Sequence, residues 1–143
     1  MDLDNILLKY DVLIGYRFLS DEINYLNLEQ FKLYKDNIIF IPSNNKNNPF
    51  VLANKLTKLN KNKKVCLIIP GQMFNIFGNR KGRGEGWYDK FLSTIPKDWC
   101  RIGIIKESKV SFSKIDIKSW DELVDYIISV GEFLKIYETM ARK

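Results

Sequence analysis

An apolar run, a glycine-rich basic segment and a helical pattern follow one another directly in the middle of this chain. Residues 65–69 are all apolar and predict a buried strand, and the spacing of Tyr88, Phe91 and Leu92 predicts the first turns of a helix. Such a junction predicts a phosphate-binding loop, because glycine lets backbone N–H groups approach an anion and a helix N-terminus adds partial positive charge. The intervening glycines and basic residues are Gly78, Gly82, Gly84 and Gly86 with Arg80, Lys81 and Arg83.

Strands and helices are predicted to alternate along the rest of the chain. Further apolar runs at 11–16, 37–41 and 101–105 predict strands. This alternation predicts an α/β domain with a mostly parallel sheet, in which ligands bind beyond the carboxyl ends of the strands. The helical patterns begin near Leu3, after Ser20 as a cap, and at Pro49.

The C-terminal region contains two patterns. Ser119 and Glu122 have the spacing of a capping box, whereas residues 126–130 have the composition of a strand, so both interpretations stay open there. Gly131 ends this segment. The spacing of apolar residues over 133–140 then predicts a final amphipathic helix.

The composition excludes several kinds of site. The chain has 143 residues, 45% of them hydrophobic, and we expect one domain over residues 1–143. It has no histidine, which excludes imidazole zinc sites and Ser-His or Cys-His nucleophile pairs, so any general acid or base must be a carboxylate, lysine, tyrosine or cysteine. Cys66 and Cys100 have neither metal-type spacing nor the pattern of a disulfide framework, which favours a reducing compartment.

The charge of the chain is basic, with a net charge of +6 and a pI of about 9.2. This balance fits a nucleotide, an RNA or an RNA-containing assembly such as a ribosome, although frequent lysine usage explains the lysines outside the glycine-rich segment equally well. A solvated helix end explains the lysines at 58–64 better than a nucleic-acid patch does. No apolar run approaches the roughly 20 residues of a membrane span, so we expect no membrane partner. The acidic start lacks the basic region of a secretory signal, and we expect a cytoplasmic location, with a mitochondrial one as the alternative.

The string from Pro70 to Leu92 resembles the signature of the 5-formyltetrahydrofolate cyclo-ligases, a family also called methenyltetrahydrofolate synthetases. The resemblance extends over Val65 to about Val130. It implies a three-layer α/β fold with a mostly parallel sheet, of the cyclo-ligase and CoA-transferase-like type. It also implies a reaction in which ATP with Mg²⁺ activates the formyl oxygen of folinate and the ring closes to methenyltetrahydrofolate. The positions in register are Pro70, Gly71, Phe74, Gly78, Arg80, Gly82, Gly84, Gly86, Tyr88, Asp89, Phe91 and Leu92.

The resemblance also implies which residues form the site. It assigns catalysis to Arg80 and Tyr88, and it assigns Mg²⁺ to Asp89 and Asp121. These residue types suit the chemistry, because arginine neutralises phosphate oxygens, tyrosine stacks on a ring or donates a hydrogen bond, and carboxylates are preferred Mg²⁺ ligands. The nucleotide-binding residues that it implies are Gly82, Arg83, Gly84, Gly86, Trp87 and Tyr88.

Departures from the family pattern keep two further hypotheses open. Asn75 stands where the family has an aspartate, and no carboxylate follows residues 38–41, where relatives carry a glutamate that helps to hold folate. The second hypothesis is therefore a nucleotide-binding relative without turnover. The third is a structural domain that binds RNA within a larger assembly.

Overall fold

The computed structural model describes residues 2–19, 21–42, 47–82, 86–113, 118 and 121–139. Two short 3₁₀ turns, Tyr25–Asn27 and Glu107–Lys109, accompany the regular elements. The helices are α1 (Leu3–Leu7), α2 (Glu29–Lys32), α3 (Pro49–Leu59) and α4 (Trp87–Thr94). The strands are β1 (Val12–Tyr16), β2 (Ile38–Ile41), β3 (Val65–Ile69), β4 (Met73–Asn75), β5 (Arg80–Lys81), β6 (Cys100–Lys106), β7 (Val110–Ser111), β8 (Tyr126–Val130) and β9 (Leu134–Glu138).

Six strands form the main sheet, in the order β2-β1-β3-β6-β8-β9. All neighbouring pairs are parallel except β8 and β9. The strands predicted from apolar runs are confirmed: β1, β3 and β6 pair on both sides inside the sheet, and β2 forms its edge beside β1. The carboxyl ends of β1, β3 and β6 lie side by side at one edge of the sheet.

Helices cover both faces of the sheet and make it the middle of three layers. Alternate residues of β3 divide between the faces: Leu67 and Ile69 pack with α3 and α4, whereas Cys66 and Ile68 pack with α1 and α2. The mostly parallel three-layer α/β fold is thereby confirmed. Helix α3 begins at Pro49 as predicted, because the side chain of Asn48 accepts hydrogen bonds from the N–H groups of its first turn. No helix in the described part of the chain is long and apolar enough to cross a membrane.

A buried arginine links the sheet to α4. Arg101 on β6 is 1% exposed, and its Nη1 lies 2.8 Å from Glu122 Oε2 while its Nη2 donates to the Leu92 carbonyl of α4. The carboxylate of Asp125 accepts from the Arg101 backbone N–H at 2.8 Å. These contacts hold residues 121–125 in an irregular path that leads into β8. The strand interpretation of 126–130 is therefore confirmed, whereas Ser119 lies outside the described residues.

The glycine-rich segment contains a small β-hairpin where the sequence predicts a loop. Strand β4 pairs antiparallel with β5 and parallel with β7. Asn75, 5% exposed, fixes this small sheet: its Nδ2 donates to the Ser113 carbonyl at 2.6 Å and its Oδ1 accepts from Phe77 N–H at 2.9 Å. The ring of Phe74 lies directly against the backbone of Gly103, where a Cβ would clash. The hairpin is thus anchored on the sheet at β6.

Two helix predictions are wrong. Residues 134–138 form strand β9 instead of a final helix, because Ile136 pairs with Ile128 in an antiparallel hairpin closed around Gly131. Leu134 and Ile136 then pack on one face of the sheet and Tyr137 on the other. The helix expected after Ser20 is broken into a 3₁₀ turn capped by Asn24 and the four-residue α2. Ser20 and Met140 lie outside the described residues.

Candidate functional site

Helix α4 begins at the end of the glycine-rich segment with an unusual cap. Gly86 occupies the N-cap position with φ of +71°, a left-handed conformation that glycine adopts without strain. Among the described residues, no side chain hydrogen-bonds to the cap of this helix, and no heavy atom beyond the chain neighbours of Gly86 lies within 4 Å of the position of an added Cβ. The N-terminus of α4 therefore offers backbone N–H groups and open space to an anion. Arg83 and Gly84, predicted for the same role, lie outside the described residues.

Arg80 connects the hairpin, the end of β3 and α4. Its Nε donates to the Pro70 carbonyl at 2.5 Å, and its guanidinium carbon lies 4.9 Å from the ring centroid of Tyr88. An added Cβ at Gly82 would approach Arg80 Nη1 to 2.7 Å, so the guanidinium also reaches the start of the glycine-rich run. Burial lowers the pKa of Arg80, and the charges of Asp89 and Tyr88 act in the opposite direction. The structure thus brings a largely buried positive charge to the predicted phosphate loop.

Tyr88 lies in the first turn of α4, under the Arg80 guanidinium. Its ring also meets Trp87 edge-on, with the centroids 5.1 Å apart. Burial raises the pKa of the Tyr88 phenol, and the charge of Arg80 lowers it to a lesser extent. The phenol therefore stays protonated at neutral pH and is available as a hydrogen-bond donor.

Trp87 contributes to the core. Its side chain is 8% exposed, and its ring stacks on Phe91 with an interplanar angle of 12°. Its indole Nε1 donates to the Asn47 carbonyl at 2.7 Å, which ties α4 to the segment that precedes α3. The structure thus gives Trp87 a packing role at the base of the predicted nucleotide site, and its binding role stays a prediction.

The two predicted Mg²⁺ ligands lie on different elements. Asp89 is exposed in the first turn of α4, close enough to Arg80 to affect its pKa. Asp121 contacts the hairpin turn: its Oδ2 accepts from Asn79 Nδ2 at 3.2 Å and from Lys118 N–H at 2.9 Å. In the described ranges, no three Cys, Asp or Glu side chains cluster as a metal site. Mg²⁺ commonly uses one or two protein carboxylates together with phosphates, and Asp89 meets that requirement.

A cavity of about 410 Å³ opens at the carboxyl ends of β1, β3 and β6. Its volume lies within the usual range for small-molecule sites. The floor includes Tyr16 at the end of β1, Pro70 and Gly71 after β3, and Ile104 on β6. Pro70 also accepts the hydrogen bond from Arg80, so the cavity and the glycine-rich segment share a wall. The cavity therefore lies where the α/β fold places ligands.

Four charged residues of this cavity were missed from the sequence. Asp21 and Glu22 line the side after β1, and Lys106 and Lys109 line the side after β6. The charge of Glu22 acts on the pKa values of both Arg80 and Tyr88, which links this side of the cavity to the predicted site. Their places in the segments that follow predicted strands 11–16 and 101–105 are the signal that could have identified them.

This geometry agrees with the family signature in the sequence. A sequence model of the 5-formyltetrahydrofolate cyclo-ligase family matches residues 42–130, more than half of the chain. The chain belongs to the 5-formyltetrahydrofolate cyclo-ligase family. The match contains the hairpin, α4, Arg80 and Tyr88, and it ends at the last residue of β8.

Individual cyclo-ligase relatives agree with this assignment. A 5-formyltetrahydrofolate cyclo-ligase of Mycoplasma genitalium is 28% identical over 120 residues, which are 80% of this chain and 65% of the relative. The chain therefore spans slightly less than two thirds of that relative's length.

Two solved structures share the fold. The NMR structure of an Aquifex aeolicus 5,10-methenyltetrahydrofolate synthetase matches with a TM-score of 0.60 and 16% identity, over 92% of this chain and 73% of that one. A 5,10-methenyltetrahydrofolate synthetase from Mycoplasma pneumoniae matches with a TM-score of 0.56 and 20% identity, over 87% of this chain and 80% of that one. At these identities the two likenesses show the fold.

Proposed function

We propose that this protein is an ATP-dependent 5-formyltetrahydrofolate cyclo-ligase. The observation that carries the proposal is the convergence of Arg80, Tyr88 and the open N-terminus of α4 beside a cavity at the carboxyl ends of the strands. The family match supports the same conclusion. The two departures from the family pattern noted above do not remove any of these three groups.

The phosphates of ATP would lie at the N-terminus of α4. The uncapped first turn after Gly86 supplies N–H donors, and Arg80 supplies a charge that its contacts with Pro70 and Tyr88 hold in one orientation. Because the guanidinium is oriented before the nucleotide binds, less side-chain entropy is lost on binding. Asp89 would hold Mg²⁺, which would neutralise charge on the phosphate oxygens.

The folate would occupy the cavity, with its formyl group next to Arg80 and Tyr88. ATP supplies the phosphoryl group for the formyl oxygen, which leaves with the phosphate as N10 bonds to the formyl carbon and loses its proton to solvent. Tyr88, kept protonated by burial, would donate a hydrogen bond at this point, and Arg80 would stabilise the negative charge that develops there. Positioning and charge stabilisation are the main requirements, and a histidine is not needed.

We also propose a cytoplasmic location. Both cysteines, Cys66 and Cys100, are buried free thiols, which suits a reducing compartment. The predicted RNA or ribosomal partner stays a prediction that rests on net charge alone.

An assay of ring closure tests the proposal. The protein is incubated with folinate, ATP and Mg²⁺, and the formation of methenyltetrahydrofolate is monitored by its absorbance. We expect turnover by the natural sequence. Gly86→Ala adds a Cβ that meets no neighbour, but it forces alanine into a left-handed conformation at about 1–2 kcal/mol. We therefore expect this variant to raise the KM for ATP several-fold and to leave the KM for folinate nearly unchanged.

Three outcomes separate the hypotheses. Absence of turnover under all conditions overturns the enzyme proposal. A nucleotide-dependent rise in Tm without turnover would instead support the nucleotide-binding relative. Equal effects of Gly86→Ala on both KM values would contradict the position of the phosphates.

A further inference from the structure

The two cysteines of the chain face each other across neighbouring strands. Cys66 is the second residue of β3 and Cys100 is the first residue of β6, and the parallel register of these strands pairs one cysteine directly with the other. Both side chains belong to the same buried cluster, on the face of the sheet that α1 and α2 cover. The pair lies toward the amino ends of the strands, whereas the cavity lies at their carboxyl ends, so a role for this pair is independent of the proposed function.

The register of the strands brings the two thiols within reach of a disulfide bond. Neighbouring strands lie about 4.8 Å apart, and residues paired in register keep nearly this spacing between their Cα atoms. A disulfide requires a Cα–Cα distance of about 4.4–6.8 Å and side chains that point toward each other. The side chain of Cys66 is hydrogen-bonded to that of Cys100, so the second requirement is met as well. The two sulfur atoms can therefore join without a change in the pairing of β3 with β6.

Cys100 is the more accessible of the two thiols. It is 5% exposed, whereas Cys66 is completely buried. The half-buried side chain of Tyr10, between α1 and β1, packs on the same cluster, and its phenol is hydrogen-bonded to Cys100. Burial, together with the hydrogen bond to Cys100, raises the pKa of the Cys66 thiol, which therefore stays protonated and reacts slowly with reagents in solution. A small oxidant that passes Tyr10 meets Cys100 first, and Cys66 is already in place to form the second half of a disulfide.

We propose that Cys66 and Cys100 are an oxidisable dithiol, which closes to an intramolecular disulfide when a peroxide reaches it. Hydrogen peroxide oxidises the Cys100 thiol to a sulfenic acid and is itself reduced to water. The Cys66 sulfur then attacks the sulfenic sulfur and forms the S–S bond, and the sulfenic oxygen leaves as water with the proton of the Cys66 thiol. A thiol reductant returns both cysteines to the thiol form.

The disulfide encloses the part of the chain that carries the proposed nucleotide site. Residues 67–99 include β4, β5 and the whole of α4, with Arg80 and Tyr88. A cross-link around a segment of this length restricts the unfolded chain far more than the folded one, which stabilises the folded state. Because the two cysteines are already in register, little strain opposes this effect, and we expect oxidation to raise Tm by about 5–10 °C.

Mass spectrometry of the full chain after treatment with hydrogen peroxide tests the proposal. Catalase then removes the peroxide, and iodoacetamide in urea without reductant alkylates every remaining thiol. We expect a monomer that has lost two hydrogens and takes up no alkylating group, and that takes up two such groups after reduction with dithiothreitol. Trypsin, which cleaves after lysine and arginine, should release the peptide 65–80 joined to the peptide 98–101.

Thermal unfolding of the same samples shows whether the bond forms in the folded protein. The oxidised natural sequence should keep the far-UV circular dichroism of the reduced protein and unfold at the higher Tm. The matched controls are Cys66→Ser and Cys100→Ser, which each keep one thiol. Neither variant should give the joined peptides or a rise in Tm after the same treatment.

Four results overturn the inference. It is wrong if both thiols of the natural sequence are still alkylated after peroxide treatment, or if they stop at sulfenic or sulfinic acids without an S–S bond. It is wrong if the cross-link joins two chains instead of residues 66 and 100 of one chain. It is also wrong if the intramolecular disulfide lowers Tm or forms only with loss of the native circular dichroism, because the folded strands would then not hold the pair in a bonding position.

Discussion

Replacing Arg80 by lysine tests whether one guanidinium organises the site. Lysine cannot both donate to the Pro70 carbonyl and lie flat over the Tyr88 ring, two contacts that Arg80 makes at 2.5 Å and 4.9 Å. A hydrogen bond from a charged donor to a buried carbonyl contributes about 1.5–3 kcal/mol, and a cation–π contact about 0.5–2 kcal/mol. Because lysine can retain one of the two contacts, we expect Arg80→Lys to lower the free energy of unfolding by about 2 kcal/mol and Tm by about 5–10 °C.

Arg17→Lys is the matched control for this substitution. Arg17 also lies over an aromatic ring, 4.5 Å from the centroid of Phe40, but its side chain is exposed. Solvent screens that contact and lysine can replace arginine there, so we expect a change within about 0.5 kcal/mol.

Urea unfolding and ring-closure kinetics measure the two consequences together. The Arg80→Lys variant should be less stable and should lose kcat/KM for ATP and folinate at temperatures where it is still folded. Stability and kcat/KM equal to those of the Arg17→Lys control would refute the organising role of Arg80.

The remaining predictions concern the small sheet and the buried tyrosines. Asn75→Asp removes the donor to the Ser113 carbonyl and buries a carboxylate, so urea unfolding at pH 7 should show a loss of about 1–3 kcal/mol that diminishes at acid pH as the carboxyl is protonated; a loss no larger than that of exposed Asn54→Asp would contradict this. Burial raises the pKa values of Tyr16 and Tyr25 above the ordinary 10.0, so the unfolded chain loses these protons first and stability should fall as pH rises above 10.0. Tyr25→Phe should make that decline shallower by up to about 1.4 kcal/mol per pH unit in urea titrations between pH 8 and 11, and an unchanged slope would be evidence against the burial of this phenol.

The strands and the family signature could be predicted because each depends on residues that are close together in the sequence. Residues 65–69 form a continuous apolar run, which a strand buried on both faces requires. The prediction of a final helix was wrong because the apolar residues of β9 fit the periodicity of a helix as well as that of a strand. Only the pairing of Ile136 with Ile128 decides between the two. The hairpin in the glycine-rich segment was missed for a similar reason, since β5 has two residues and exists through its pairing with β4.

The geometry of the candidate site could not be predicted from the sequence. The family motif predicts roles for Arg80 and Tyr88, which stay predictions, and the stacking of the two side chains depends on how the hairpin folds back on α4. Glu22 and Lys109 are far apart in the sequence, and they line one cavity because β1, β3 and β6 are neighbours in the sheet. The periodicity of apolar residues predicts individual strands, but it does not predict the order of the strands in the sheet.

Simultaneous recording of methenyltetrahydrofolate absorbance and ADP release tests the proposed activity most directly. With folinate, ATP and Mg²⁺ present, the account predicts one ADP released for each ring closed, and no ADP release when folinate is omitted. ADP release that does not depend on folinate, or folinate left unchanged by the folded protein, would contradict it.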